Sequence, residues 1–76
     1  MLKQRTLSDI DVGGHAVVER LRIHGSMRRR MLDLGLVPGT AVECVGKSPS
    51  GDPKAFLIRG AVIAIRSEDS REIIVR

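Results

Sequence analysis

Hydrophobic and polar residues alternate with a period of two through most of this chain, and one stretch switches to helical spacing. Over residues 15–23, Val17, Leu21 and Ile23 share one parity and Val18, Arg20 and Arg22 the other. That predicts a strand with the first set inward and the arginines outward. Glu19 falls on the apolar parity, so the pattern requires a bulge nearby or a wet end to that face. Ahead of the strand, Thr6-Leu7-Ser8-Asp9-Ile10 fits one helical turn capped by Thr6 or Ser8, broken by Gly13-Gly14. After it, His24-Gly25 ends the strand and Ser26 is placed to cap a helix over residues 27–34. Met27, Met31 and Leu34 sit at i, i+4 and i+7 and form its apolar stripe. Gly35 stands where a left-handed residue closes a helix, and Leu36 is placed to fold back on Met31. Pro38 holds Val37 extended, and Pro38-Gly39 suits the centre of a type II turn.

The remainder reads as β. Strands are predicted over residues 40–45, 55–59, 61–66 and 71–75. A turn-rich loop, Ser48-Pro49-Ser50-Gly51-Asp52-Pro53, separates the first two. Gly60 makes a corner, and residues 67–70 a polar turn. The core expected from this pattern is Val17, Leu21, Ile23, Met31, Leu34, Val42, Cys44, Phe56, Ile58, Val62, Ala64 and Ile73. About five short strands with one short helix after the first, and glycines at the corners, predict a mainly β fold: a small, strongly bent SH3-like barrel in a single domain. An OB-like barrel is the alternative, although its strands run longer and its helix comes later.

Length limits what the domain can do. A chain of 76 residues buries only about 60% of its unfolded surface, which leaves no room for a core plus a deep substrate cavity. The apolar share, 42%, is too high for a disordered tail. A single cysteine excludes an internal disulfide and makes the reducing cytoplasm the default compartment. The start, Met1-Leu2-Lys3-Gln4-Arg5-Thr6-Leu7-Ser8-Asp9, lacks the apolar stretch of a signal peptide. The longest apolar run, Ala61-Val62-Ile63-Ala64-Ile65, falls far short of the ~20 residues that span a bilayer.

Charge is uneven. Net charge is +4, yet Arg20, Arg22, Arg28, Arg29 and Arg30 lie within one acid-free stretch, so the rest of the chain is near neutral. Such a cluster either keeps a face solvated or invites an anionic partner. The other chemistry is sparse. Gly13-Gly14 is followed by no Gly-Lys-Ser/Thr, so it is not a phosphate loop. His15 and His24 bracket the first strand, roughly 30 Å apart if it is fully extended, and cannot share a metal within a monomer. Cys44 shares parity with Val42 and reads as a buried thiol. Asp9, Asp11, Asp52, Glu68 and Asp69 lie in loops, where at most weak cation binding is expected. No catalytic residue, metal site or cofactor is therefore assigned, and transition-metal binding is expected to be weak. Single-strand nucleic-acid binding wants aromatic platforms. The one aromatic, Phe56, shares parity with Ile58 and reads as core, so no nucleic-acid partner is expected; a small barrel that binds nucleic acid through its backbone alone, by way of Arg20 to Arg30, is kept as an alternative.

The stretch Arg28-Arg29-Arg30-Met31-Leu32-Asp33-Leu34-Gly35-Leu36-Val37-Pro38-Gly39-Thr40 resembles the FeoA family, small cytoplasmic proteins of bacterial ferrous iron uptake. Leu7-Ser8-Asp9-Ile10 with Gly13-Gly14, the Gly51-Asp52-Pro53 loop and Ala61-Val62-Ile63-Ala64-Ile65-Arg66 extend the resemblance in order along nearly the whole chain. The family usually carries one basic residue before its helix, and here there are three. Similar domains form the C-terminal module of metal-dependent iron repressors. With no helix-turn-helix ahead of it, the chain fits the stand-alone form better, and a stand-alone adaptor or metal-sensing domain resembling that module is the alternative function. The resemblance implies an SH3-like barrel without enzymatic activity. It also implies a partner, the membrane ferrous iron transporter FeoB with its cytoplasmic GTPase domain, through which alone the chain would meet the membrane. Arg28, Arg29 and Arg30 with Leu36 and Val37 form the expected partner-binding surface. Gly35, Pro38, Gly39, Asp52 and Pro53 are the expected structural motif. With the helix starting at Met27, Arg28 and Arg29 fall in its first turn, where the macrodipole opposes positive charge. Their placement there argues for a role outside the domain.

Overall fold

The computed structural model describes residues 4–76; Met1, Leu2 and Lys3, the first residues of the segment read for a signal peptide, lie outside the described residues. The element order is a 3-10 turn (Leu7–Asp9), β1 (His15–Leu21), α1 (Gly25–Asp33), β2 (Ala41–Lys47), β3 (Lys54–Ile58), β4 (Ala61–Ile65), α2 (Ser67–Ser70) and β5 (Ile73–Val75). The five strands form one antiparallel sheet in the order β4-β3-β2-β1-β5. The predicted polar turn at residues 67–70 is thus a single helical turn, and the strands differ from expectation by one or two residues at their ends.

β1 sets the curvature of the sheet. Its first half, His15 to Val17, pairs with β2 and its second half, Val18 to Leu21, pairs with β5. A register shift between Val18 and Arg20 marks a bulge at the changeover, which bends the strand and reverses which parity faces inward. Ala16 and Val18 are therefore buried before the bulge, and Leu21 and Ile23 after it. Val17, expected in the core, is only half-buried.

A second correction falls on β4. Arg59 and Gly60 both have positive φ (49° and 83°), and Ile58 pairs with Ala61 across them. This is the two-residue type I′ hairpin that suits strand twist. The register it sets places Ile63 opposite Phe56, and cross-strand partners share a face. Ile65 is buried and Ile63 packs partly against the core, while Val62 is 64% exposed and Ala64 is exposed too.

The rest of the core follows the pattern. Phe56, Ile58, Cys44, Val42, Met31 and Ile73 are buried in one cluster, with Leu34 partly buried against it. Leu7, Ile10 and Leu36 join the cluster as well. All three residues of β5 are buried, because residues of the N-terminal segment cover its outer edge. Thr6 bridges to Ile74, and the Val75 amide donates to the Arg5 carbonyl at 3.0 Å.

Candidate functional site

Sequence placed the site on α1 and the turn after it, and the local geometry there is well defined. The Gly35 amide donates to the Leu32 carbonyl and the Leu36 amide to the Met31 carbonyl, both at 3.0 Å. Gly35 has φ +106°. This is a Schellman closure with its accompanying apolar contact, since Met31 and Leu36 are both in the core. Next, the Thr40 amide donates to the Val37 carbonyl at 3.1 Å around Pro38 and Gly39, with Gly39 at φ +93°: the expected type II turn. Gly39 then donates to the Val18 carbonyl at 2.8 Å, so β1 anchors the turn.

The expected binding surface divides on this frame. Leu36 is 0% exposed and is a core residue, not part of a docking surface; the closure that rigidifies the helix end also buries it. Val37 is half-buried. The helix begins at Gly25 with His24 as its N-cap, so Ser26 is inside it and not the cap. Arg28 is consequently the fourth helical residue, at the end of the first turn, Arg29 lies beyond it, and Arg30 lies in the last turn, where the dipole favours a cation. The dipole argument for an external role does not extend to Arg29, and Arg28 is held by a bond within the domain.

Consecutive helix residues point about 100° apart, and the three arginines meet different surroundings. Arg28 donates through Nη1 to the Leu21 carbonyl at 3.0 Å, tying α1 to the end of β1. Arg29 faces Asp33 at 4.0 Å with both side chains open to solvent. Arg30 lines a groove of about 200 Å³ between α1 and β4, together with Met27, Met31, Leu34, Ile63, Ala64, Ile65, Arg66 and Asp69. Arg20 and Arg22 are engaged elsewhere: Arg20 donates to Gln4 at 2.9 Å, and Arg22 reaches the Arg71 carbonyl at 3.0 Å and Glu72 at 3.4 Å. Of the basic run, Arg30 is the member set beside apolar surface. Ile63 and Arg66 were not expected at the site; the Arg59-Gly60 hairpin is the sequence signal that places them.

Asp52 and Pro53 act within the domain. The Asp52 carboxylate accepts from the Ser67 amide at 2.9 Å and the Ser67 hydroxyl at 3.1 Å, at the start of α2. Its carbonyl accepts from the hydroxyls of Ser48 and Ser50, and the Asp52-Pro53 peptide is cis. Nearby, the Lys54 ammonium donates to the carbonyls of Ser8 and Ile10 at 3.0 and 2.9 Å. These contacts join the loop, α2 and the 3-10 turn around a cleft of only about 20 Å³.

On the outer sheet face, His15, Glu43 and Leu57 line a shallow concavity of about 210 Å³. Among the described residues, no three of His, Cys, Asp and Glu gather as a metal-holding group. Cys44 is a buried free thiol, as its parity predicted. The described residues contain no helix long and apolar enough to cross a membrane.

A bent five-stranded sheet with one inserted helix, and a groove framed by the helix and a sheet edge, define a small SH3-like domain. The FeoA domain profile matches residues 5–76, and the chain belongs to that family. A curated relative, the Fe(2+) transport protein A/Fe(2+) transporter FeoB fusion protein of Porphyromonas gingivalis, is 33% identical over 67 residues. The match covers 88% of this chain and 8% of the relative's length. The solution structure of FeoA from Chlorobium tepidum superimposes with a TM-score of 0.89 at 30% identity, covering 95% of this chain and 69% of that one. The zinc-complexed crystal structure of Stenotrophomonas maltophilia FeoA gives 0.84 at 30% identity, covering 95% and 89%. It is described as a prokaryotic SH3 domain protein and a candidate activating factor of bacterial ferrous iron transport.

Proposed function

We propose that this chain is a non-enzymatic, cytoplasmic accessory protein of ferrous iron transport that docks on the cytoplasmic part of a FeoB-type transporter and supports or regulates uptake. The observation that carries the reading is the Porphyromonas gingivalis relative, in which a matching segment and FeoB belong to one chain. Covalent linkage raises the effective concentration of one module at the other, which is useful where the two must meet. The chain's charge and form suit the role. It carries +4 net charge, and Arg30 sits beside an apolar groove, a mixture of polar rim and apolar centre typical of modest protein interfaces. Neither a cofactor nor a nucleic acid is required by the reading, and contact with the membrane runs through the partner.

Capture on immobilised chain of a purified FeoB cytoplasmic GTPase domain, paired with ferrous iron uptake in cells lacking the accessory protein, tests this. Binding that weakens with added salt and restored uptake are the expected results. Normal uptake without the protein and no capture at low salt would remove the reading.

A further inference from the structure

The two edges of the sheet are treated differently. Residues Arg5 and Thr6 cover the edge of β5. Among the described residues, β4 pairs with β3 alone. In a two-residue hairpin the flanking pair exchanges both backbone bonds, and every second pair repeats this. Ala61, Ile63 and Ile65 therefore direct their amides and carbonyls at β3, while Val62 and Ala64 direct theirs outward. Among the described residues, no hydrogen bond reaches the backbone of Val62 or Ala64 from outside β3. Open edges are normally guarded by a charge, a proline or a covering segment. The strand Ala61–Ile65 carries neither charge nor proline.

Beside this edge runs the groove between β4 and α1, with Met27, Met31, Leu34 and Ile63 as its apolar lining and Arg30, Arg66 and Asp69 as its charged members. Two arginines against one aspartate leave that lining positive.

We propose that the open edge of β4 and this groove take an extended, acidic segment of a partner protein, added to the sheet as a sixth strand. Backbone pairing with Val62 and Ala64 would supply affinity, apolar side chains at alternate positions would enter the groove, and flanking carboxylates would meet Arg30 and Arg66. A second copy of this chain suits the edge less well. Antiparallel β4–β4 pairing centred on Ile63 would bring Arg66 of each copy to the Arg59-Gly60 turn of the other, setting like charges together at both ends. The proposal rests on the docking reading and specifies its surface.

The test titrates ¹⁵N-labelled protein with three synthetic peptides of about ten residues, enough to span the strand. One alternates Val and Thr between Asp and Glu flanks, one has Lys flanks, and one repeats the acidic peptide with alternate amides N-methylated. Expected are saturable binding of the acidic peptide, shifts and slowed amide exchange at Val62 and Ala64, and roughly tenfold weaker binding of the N-methylated peptide. Ala64→Pro, which removes an outward amide, should weaken binding similarly, and Arg30→Glu should remove the preference for acidic flanks. Equal binding of the N-methylated peptide, no binding of the acidic one, or shifts confined to another face would overturn the proposal. So would a wild-type dimer abolished by Ala64→Pro in sedimentation. Wild-type capture of the transporter domain matched by Ala64→Pro would overturn the edge and leave docking intact. Peptide binding without any transporter capture would do the reverse.

Discussion

The carboxylate of Asp52 holds the first residue of α2 by two hydrogen bonds, from the Ser67 amide at 2.9 Å and its hydroxyl at 3.1 Å. The loop between β2 and β3 thereby positions the segment that leads into β5. Asp52→Ala should lose about 0.5–2 kcal/mol, the range for deleting a cap at a helix start. In a domain of this size that lowers the melting temperature by several degrees, on the order of 4–8 °C per kcal/mol. Ser67→Ala keeps the backbone bond and should cost less. A thermal melt of both variants checks the order.

Gly35 and Gly39 both hold positive φ, yet their surroundings differ. A Cβ at Gly35 would lie 3.1 Å from the Arg59 side chain and 3.3 Å from Ile58, whereas one at Gly39 meets nothing within 4 Å. Alanine at Gly39 should therefore cost only its backbone strain, roughly 1–2 kcal/mol. Gly35→Ala should cost more, and Gly35→Val more again, because Ile58 is in the core and cannot easily give way. Urea unfolding of the three variants measures the ranking.

How far the fold is legible in sequence depends on whether a strand shows its own parity. β2 and β3 alternate cleanly, so Val42, Cys44, Phe56 and Ile58 are read correctly as core. The helix closure is equally legible, because Gly35 and Leu36 occupy fixed places in a local motif. β1 misleads because the bulge near Glu19 flips the parity before it, and Leu21 and Ile23 extrapolate to Val17 when Val18 is the buried residue. β4 misleads because every residue in it is apolar, so only pairing with β3 tells inside from outside. The groove follows β4: Arg30 is visible as a charge in the sequence, but Ile63 and Arg66 join it through the register that the Arg59-Gly60 turn sets, which the uniformly apolar pattern of β4 hides. Leu36 was assigned both to the helix closure and to the docking surface, and burial permits only the first.

Paired truncations report on that packing directly. Ile65→Ala should lose about 2–5 kcal/mol and Phe56→Ala about 3–5, since both leave holes in the core. Val62→Ala, at an open position, should stay within about 0.5 kcal/mol of wild type. If Val62→Ala destabilised as much as Ile65→Ala in urea unfolding, the hairpin register would be wrong.

The isolated chain should bind ferrous iron or zinc only weakly, without a closed tetrahedral site, because its His, Cys and acidic residues stay apart among the described residues. Calorimetry under anaerobic conditions should show no stoichiometric site of sub-micromolar affinity. A single tight site on the monomer would contradict the expectation, and a site formed only between two chains would not.

The arginines of α1 should separate by role when each is reversed to glutamate. Arg28→Glu gives up the hydrogen bond to the Leu21 carbonyl and should destabilise the domain. Arg29→Glu loses only a 4.0 Å ion pair whose side chains are 83% and 72% exposed, so stability and partner capture should hardly change. Arg30→Glu places an anion in the last helical turn, a cost of about 0.3–1 kcal/mol. Its larger effect should be on binding, since Arg30 lines the groove. A melt combined with transporter capture at two salt concentrations distinguishes the three. Arg28→Glu should fail in the melt, Arg30→Glu in capture, and Arg29→Glu in neither. Capture lost with Arg29→Glu and kept with Arg30→Glu would move the docking surface from the groove to the solvent face of the helix.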